Sequence, residues 1–251
     1  MRSSFVALGF FLALGAGCST PSVPAGGSTG PSPATSASAC AHPYYPIRQG
    51  YEIGYTNTIT GAPESAFTMK VAKAERNTAT LEYVFSQTGA PANATPLTMT
   101  QELECAGGNI RAKGQLDMAS ALSGMQVRST TKKSTGELLP SDLAVGSEWD
   151  NEFQVETETD SPVAVRLGMG RTSSTMVMHH KAIREEDITV PAGTYRALVV
   201  ETDMTITMSF GSLPAQKPTT VRSTEYWVKD VGLVKTVTGT SKTEAARVAL
   251  P

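Results

Sequence analysis

Between Leu198 and Phe210 the chain alternates. Leu198, Val200, Met204, Ile206, Met208 and Phe210 fall on one parity, and Glu201, Asp203, Thr205, Thr207 and Ser209 on the other. Successive side chains of an extended strand point to opposite faces, so this run specifies a strand with one apolar and one polar side. The pattern recurs. Leu81, Tyr83 and Phe85 alternate with Thr80, Glu82 and Ser86, and Leu97, Met99, Leu103 and Cys105 alternate with Thr98, Thr100, Glu102 and Glu104. Turn-forming clusters separate such runs at Gly61-Ala62-Pro63, Gly89-Ala90-Pro91, Ala106–Asn109, Val190–Gly193 and Lys229–Gly232. About ten to twelve short strands are expected at this spacing. The fold class that follows is all-β and antiparallel: a strongly curved sheet or half-barrel with little helix. Gln115 to Gly124 is expected as one short helix, and Thr243 to Leu250 as a frayed terminal turn. The segments Tyr45–Tyr51 and Leu139–Trp149 each carry a proline, then a glycine, then an aromatic entering a strand. That echo points to two similar halves, with coincidence as the alternative.

The N-terminus sets an expected address. Arg2 precedes an apolar run from Phe5 to Leu14, which is shorter than the roughly 20 residues a membrane-spanning helix needs and has the length of a secretory core. Gly15, Ala16 and Gly17 lead to Cys18. This resembles the bacterial lipobox, in which the cysteine is lipidated and becomes the mature N-terminus. Gly15 stands where the lipobox prefers leucine. Residues 1–17 are thus expected as a lipoprotein signal peptide and Cys18 as the lipidation site. Ser19 follows the cysteine, and by the same resemblance this favours the outer membrane in a host with two membranes. An ordinary signal peptide with an incidental Cys18 is the alternative. From Ser19 to Ala39 the chain holds almost only Ser, Thr, Pro, Gly and Ala. Such a stretch buries too little surface to offset its ordering entropy, so residues 18–39 read as a tether and residues 40–251 as one β-rich domain. In an oxidising compartment, the remaining pair Cys40 and Cys105 is expected to form a disulfide, with two free thiols as the alternative.

Two stretches near the C-terminus carry a family resemblance: Val190-Pro191-Ala192-Gly193-Thr194-Tyr195, and Tyr226-Trp227-Val228-Lys229-Asp230-Val231-Gly232-Leu233-Val234-Lys235. Together they resemble the TapB-like group of exported bacterial proteins, whose activity is uncharacterised. What the resemblance implies is an antiparallel curved sheet or half-barrel. It brings no catalytic residues to transfer.

Little chemistry stands out. A formal net charge of −2 leaves no electrostatic footprint for nucleic acid. Gly26–Gly30 matches the G-x-S-x-G nucleophile pattern but lies in the tether, without the flanking strand and helix that pattern needs. Ser129-Thr130-Thr131-Lys132 matches S-x-x-K but lacks the partner motifs. Asp150, Glu152, Glu156, Glu158 and Asp160 share one strand face, which reads as a solvated surface before a calcium site. The sharpest local feature is Met176, Met178 and His180 on one face, with Met204 and Met208 available on a neighbouring strand. Thioethers with an imidazole suit a soft metal such as Cu(I). Methionine is equally a flexible core filler. The expected function is non-enzymatic and needs no cofactor. A membrane-tethered envelope lipoprotein would bind an apolar ligand or a partner protein on apolar strand faces. The alternatives are a copper-binding protein and an enzyme whose site one sequence does not reveal.

Overall fold

The computed structural model describes residues 40–86, 96–114, 127–168, 170–211, 213 and 215–250. Twelve strands form one antiparallel sheet. The first run comprises β3 (Glu52–Ile59), β4 (Ser65–Ala74), β5 (Thr78–Ser86), β6 (Leu97–Ala106) and β7 (Asn109–Ala112). The second comprises β8 (Val127–Gly136), β9 (Glu148–Thr159), β10 (Arg171–Val190), β11 (Gly193–Phe210), β12 (Thr219–Val228), β13 (Gly232–Thr238) and β14 (Ser241–Ala249). Each run is a simple meander, and the last strand pairs with the first of the other run, β14 with β3. A two-residue pair, β1 (Ala41–His42) with β2 (Tyr45–Pro46), precedes the sheet. The one helix among the described residues, α1 (Pro162–Arg166), joins β9 to β10.

The sheet curls until its edge strands β7 and β8 almost meet. Ile110 N donates to Leu139 O at 2.9 Å, Leu138 N donates to Ile110 O at 2.7 Å, and the Ser134 hydroxyl donates to the Ala112 carbonyl. The result is a barrel nearly closed, with one seam. A groove of about 370 Å³ runs along it, lined by Glu104, Arg111, Lys113, Ser134 and Thr135 among others.

The expected alternation places the core. In β11, Leu198 and Val200 are fully buried on the inner face, while Glu201 is exposed. Leu81 and Leu103 meet the same interior from β5 and β6. Both glycine turns form as their residues require. Gly193 has φ 148° and Gly232 φ 100°, conformations that a Cβ disfavours, and the Tyr195 hydroxyl closes the first turn on Ala192 O at 2.9 Å.

Two expectations change. Thr243–Leu250 is no terminal turn: β14 runs from Ser241 to Ala249. Its Thr-Glu-Ala-Ala-Arg composition favours helix locally, but pairing with β13 and β3 buries Ala245 completely and packs Val248 on the core. Tertiary context outweighs the propensity. Nor are all strands short, since β10 spans 20 residues. Its charged stretch Lys181–Asp187 continues to pair with β11 through a register shift between Ala182 and Arg184. The expected helix at Gln115–Gly124 lies outside the described residues.

Residues 40–51 enter one end of the barrel. Tyr44, Tyr45, Ile47 and Tyr51 are buried there. Tyr45 packs edge-on to Trp227 at 5.8 Å and hydrogen-bonds Tyr83 on β5. The Tyr51 hydroxyl donates to Val231 O, Asp230 N donates to Pro43 O at 2.8 Å, and His42 Nε2 meets Pro140 O at 2.9 Å. A disulfide between Cys40 and Cys105 fixes this plug to the end of β6. The bond closes a separation of 65 residues, for which the loop-entropy model gives about 4 kcal/mol. Replacing both cysteines by serine should therefore lower the urea-unfolding free energy by up to about 4 kcal/mol. An unchanged urea midpoint would show that the plug is held by its tyrosines alone.

Candidate functional site

Burial of the inward-facing residues falls along the barrel axis on β4–β6 and β11, whereas Phe153, Val155 and Met176 on β9–β10 stay buried toward the second end. At the plugged end Ile53, Leu81, Leu103, Leu198, Val200 and Val234 are all but inaccessible. Toward the other end, the inward positions Phe67, Tyr83, Phe85, Leu97 and Met99 on β4–β6 are only partly buried. So are Met178, Met204 and Ile206 on β10–β11, and Met208 is exposed. Strands alternate in direction, so the ends of β3, β5, β9, β11 and β13 all lie at this second, open end. The open end is lined by apolar groups. Phe67 stacks on Tyr55 at 4.9 Å and on Phe85 at 5.2 Å, and Met178 sits directly opposite Met204.

A row of polar side chains crosses the inner wall, on the plugged side of Met178 and Met204 at β10–β11 and on the open side of Tyr55 and Phe67 at β3–β4. His180 is buried on β10, stacked on Trp149 at 4.9 Å. Its Nε2 meets Asn151 Oδ1 at 2.8 Å and its Nδ1 meets Thr202 Oγ1 at 2.8 Å. Thr202 Oγ1 also lies 3.5 Å from Glu225 Oε1, and Trp227 Nε1 donates to Glu225 Oε2 at 3.0 Å. The register carries the row onward: Glu225 pairs with Thr236, Thr236 with Thr243, Thr243 with Asn57 and Asn57 with Ser65. Asn57 Oδ1 accepts from the hydroxyls of Thr243 at 3.0 Å and Ser241 at 3.1 Å.

Proton bookkeeping fixes the tautomer of His180 in this belt. Asn151 Oδ1 is an acceptor, so Nε2 of His180 carries the proton and Nδ1 accepts from Thr202. The Thr202 hydroxyl has one proton to share between His180 Nδ1 at 2.8 Å and Glu225 Oε1 at 3.5 Å. Burial pushes the Glu225 carboxyl up, against the hydrogen bonds from Trp227 and Thr202. Burial likewise pushes His180 down to about 4, with His179 adding to the effect and Asp150 opposing it. Burial thus disfavours the charged form of both groups. Tyr83, opposite Met69 on the inner wall, is pushed up to about 12 by burial.

Met176 and Met178 do share the inward face with His180. Met176 is buried and lies opposite Ile206. Both ring nitrogens of His180 are engaged, so ligation through it would require giving up Asn151 or Thr202. His179 points outward and pairs with Asp150 at 2.8 Å. Among the described residues, no group of three His, Cys, Asp or Glu is placed to hold a metal. The outward acidic row is spent on cross-strand ion pairs: Glu152 with Lys133, Glu156 with Lys132 and Glu158 with Arg171. Exposed pairs of this kind contribute little stability. Cys18 lies outside the described residues. The sequence reading passed over Thr202 and Glu225. Thr202 was detectable as the one polar residue on the apolar parity of Leu198–Phe210.

The belt makes a signed pH prediction. An unfolded histidine binds its proton near pH 6.5, whereas His180 does so only at about 4. The unfolded state therefore holds more protons across that window, and stability falls as pH drops through it, by at most about 3 kcal/mol. A His180→Phe variant, less stable at neutral pH because Asn151 and Thr202 lose their partner, should lose correspondingly less between about pH 7 and about pH 4.5. Equal acid losses in urea titrations of the two proteins would contradict a neutral, buried His180.

Two solved structures share the architecture. One is a candidate exported protein of Bacteroides fragilis with a YmcC-like fold, matched with a TM-score of 0.55 and 14% identity over 84% of this chain and 100% of the other. The second is a candidate lipoprotein of Parabacteroides distasonis, with a TM-score of 0.55 and 18% identity over 82% of this chain and 98% of that one. At these identities the likeness is one of fold. No curated protein matches the sequence. The DUF3108-like family model matches residues 48–243, from the last turn of the plug to the start of β14, and the chain belongs to that family.

Proposed function

We propose that this chain is an exported lipoprotein, anchored through a lipidated Cys18, whose barrel takes up the apolar part of a ligand at its open end. One observation carries the binding role. The inward side chains Phe67, Phe85, Leu97, Met99, Met204 and Met208 remain partly accessible, whereas equivalent positions at the plugged end are sealed. An apolar, concave lining with a few convergent polar groups is the usual chemistry of a small-molecule site. The belt supplies the polar groups, and its bias against charged forms suits a ligand whose buried polar part is a hydroxyl, ester or amide rather than an ion. The role is binding, not catalysis. The outer membrane is the proposed location, and membership of the TapB-like group belongs to the same proposal.

A soft-metal role is the second reading, favoured by the direct opposition of Met178 and Met204, with Met176 one step and Met208 two steps away on the same face. The ligands would be thioethers, a donor set selective for Cu(I).

Two measurements decide between these readings and test the address. Binding of cis-parinaric acid should raise its fluorescence, and Met204→Glu should weaken it about tenfold, the equivalent of about 1.4 kcal/mol. A flat titration for the wild type, together with Cu(I) uptake lost in a Met178→Leu/Met204→Leu variant, would transfer the site to the metal. The mass of the mature protein from detergent-solubilised membranes should show a lipid-modified N-terminus at Cys18. A Cys18→Ala variant should lose the modification and leave the membrane. An unmodified chain cleaved elsewhere would remove the anchor.

A further inference from the structure

The rim of the open end carries large apolar side chains on its outer surface. Val163 is 61% exposed, Val165 56%, Leu167 59% and Leu213 51%. Three of them belong to α1 or the residue after it, and α1 has no buried residue at all. A five-residue helix has too few hydrogen bonds to stand by itself, and this one spends its apolar residues on solvent. The fourth lies beside it. Gly211 N donates to Arg171 O at 2.7 Å, and a Cβ on Gly211 would stand 2.1 Å from Gly168 O, so the turn after β11 rests against the turn after α1. Arg166 and Lys217 are exposed on the same rim, and neither takes part in an ion pair among the described residues. Arg171 is paired with Glu158, and Asp160 is exposed nearby. The apolar surface does not stop at the edge: Phe210 and Met208 continue it from the rim into the barrel.

We propose that this rim docks on an anionic phospholipid bilayer, with Val163, Val165, Leu167 and Leu213 in the interface and Arg166 and Lys217 at the headgroups. The inference rests on the apolar-ligand role and names the surface through which such a ligand passes. Apolar residues flanked by cations on an unburied helix are the pattern of an interfacial contact. The length of chain outside the described fold permits it. Cys40 lies at the plugged end, and the 21 residues from Ser19 to Ala39 separate it from Cys18. Fully extended, such a segment reaches about 70 Å, while the 18 residues of β11, whose end carries the rim, rise about 60 Å. The tether is thus long enough for the barrel to turn over and set its mouth on the same bilayer that holds the anchor.

The test uses the chain beginning at Ser19, which retains every strand and the disulfide but has no lipid. It should float with vesicles of phosphatidylcholine mixed with phosphatidylglycerol, and much less with phosphatidylcholine alone. The variant Val163→Ser/Val165→Ser/Leu167→Ser should float at least about fivefold less with an unchanged melting temperature, because none of these side chains is buried. Arg166→Glu/Lys217→Glu should abolish the preference for the anionic vesicles. A wild-type chain that stays at the bottom of the gradient, or a triple variant that floats equally, overturns the inference. So does a stable dimer in the absence of vesicles that the triple variant dissociates, which would assign the patch to a second copy. Failure here is separable from failure of the ligand role: a protein that binds cis-parinaric acid yet does not float loses only the docking surface.

Discussion

A barrel of twelve strands encloses more room than its own inward side chains fill. Eight strands give an interior that side chains can just occupy, and the diameter grows with strand number. Everything else in this molecule follows from how the surplus is handled. At one end, residues 40–51 and the Leu139–Leu143 stretch are drawn inside, and their tyrosines and leucines complete a dry core. At the other end nothing among the described residues does the same. The incomplete seam between β7 and β8 is a second consequence, because a sheet that closes through the backbone of Ile110, the Ser134 hydroxyl and side-chain contacts of Asn109 and Arg111 to Glu137 need not meet a strict barrel register.

The polar row ties neighbouring strands to one another. Asn57, Asn151, His180 and Thr202 are buried with partners for their polar groups. Unpaired, each would cost on the order of 1–3 kcal/mol. The partners come from different strands, so the belt also favours one register over its neighbours: sliding β10 by one residue would turn His180 outward and His179 inward. It fixes the relative heights of β9 to β12 in a way that Val and Met alone would not.

Much of this wall was legible in the chain. The parity of Leu198–Phe210 gave β11 its inner face, Leu81–Phe85 gave β5, and Met176, Met178 and His180 do lie on one side of β10. What was not legible depends on distant partners. β14 becomes a strand because β3 and β13 offer it two paired edges, which its alanine-rich sequence does not announce. β10 extends through a charged stretch because β11 runs alongside it. Tyr44, Tyr45 and Tyr51 read as turn and strand openings, yet they pack against Trp227 and Val231 some 180 residues away. The surroundings of Glu225 could not be read at all, since a lone glutamate in an alternating run looks like any other surface position.

The asymmetry of the two ends bears on how a tethered protein can work. Cys40 lies at the sealed end, so an anchor at Cys18, as proposed, would in the simplest pose leave the mouth pointing away from the membrane. A receptor for soluble ligands would be served by that pose and by a short tether. The apolar rim on α1 is badly served by it, since it leaves Val163, Val165 and Leu167 in water. A tether longer than the barrel is high removes the conflict, because it lets the same molecule present its mouth either to the space around it or to the bilayer beneath it. Exchange of an apolar ligand between a membrane and a carrier needs both orientations. The combination of a plugged end that carries the tether and an open end that carries the apolar rim is coherent for such exchange, and each half would be an unexplained expense on its own.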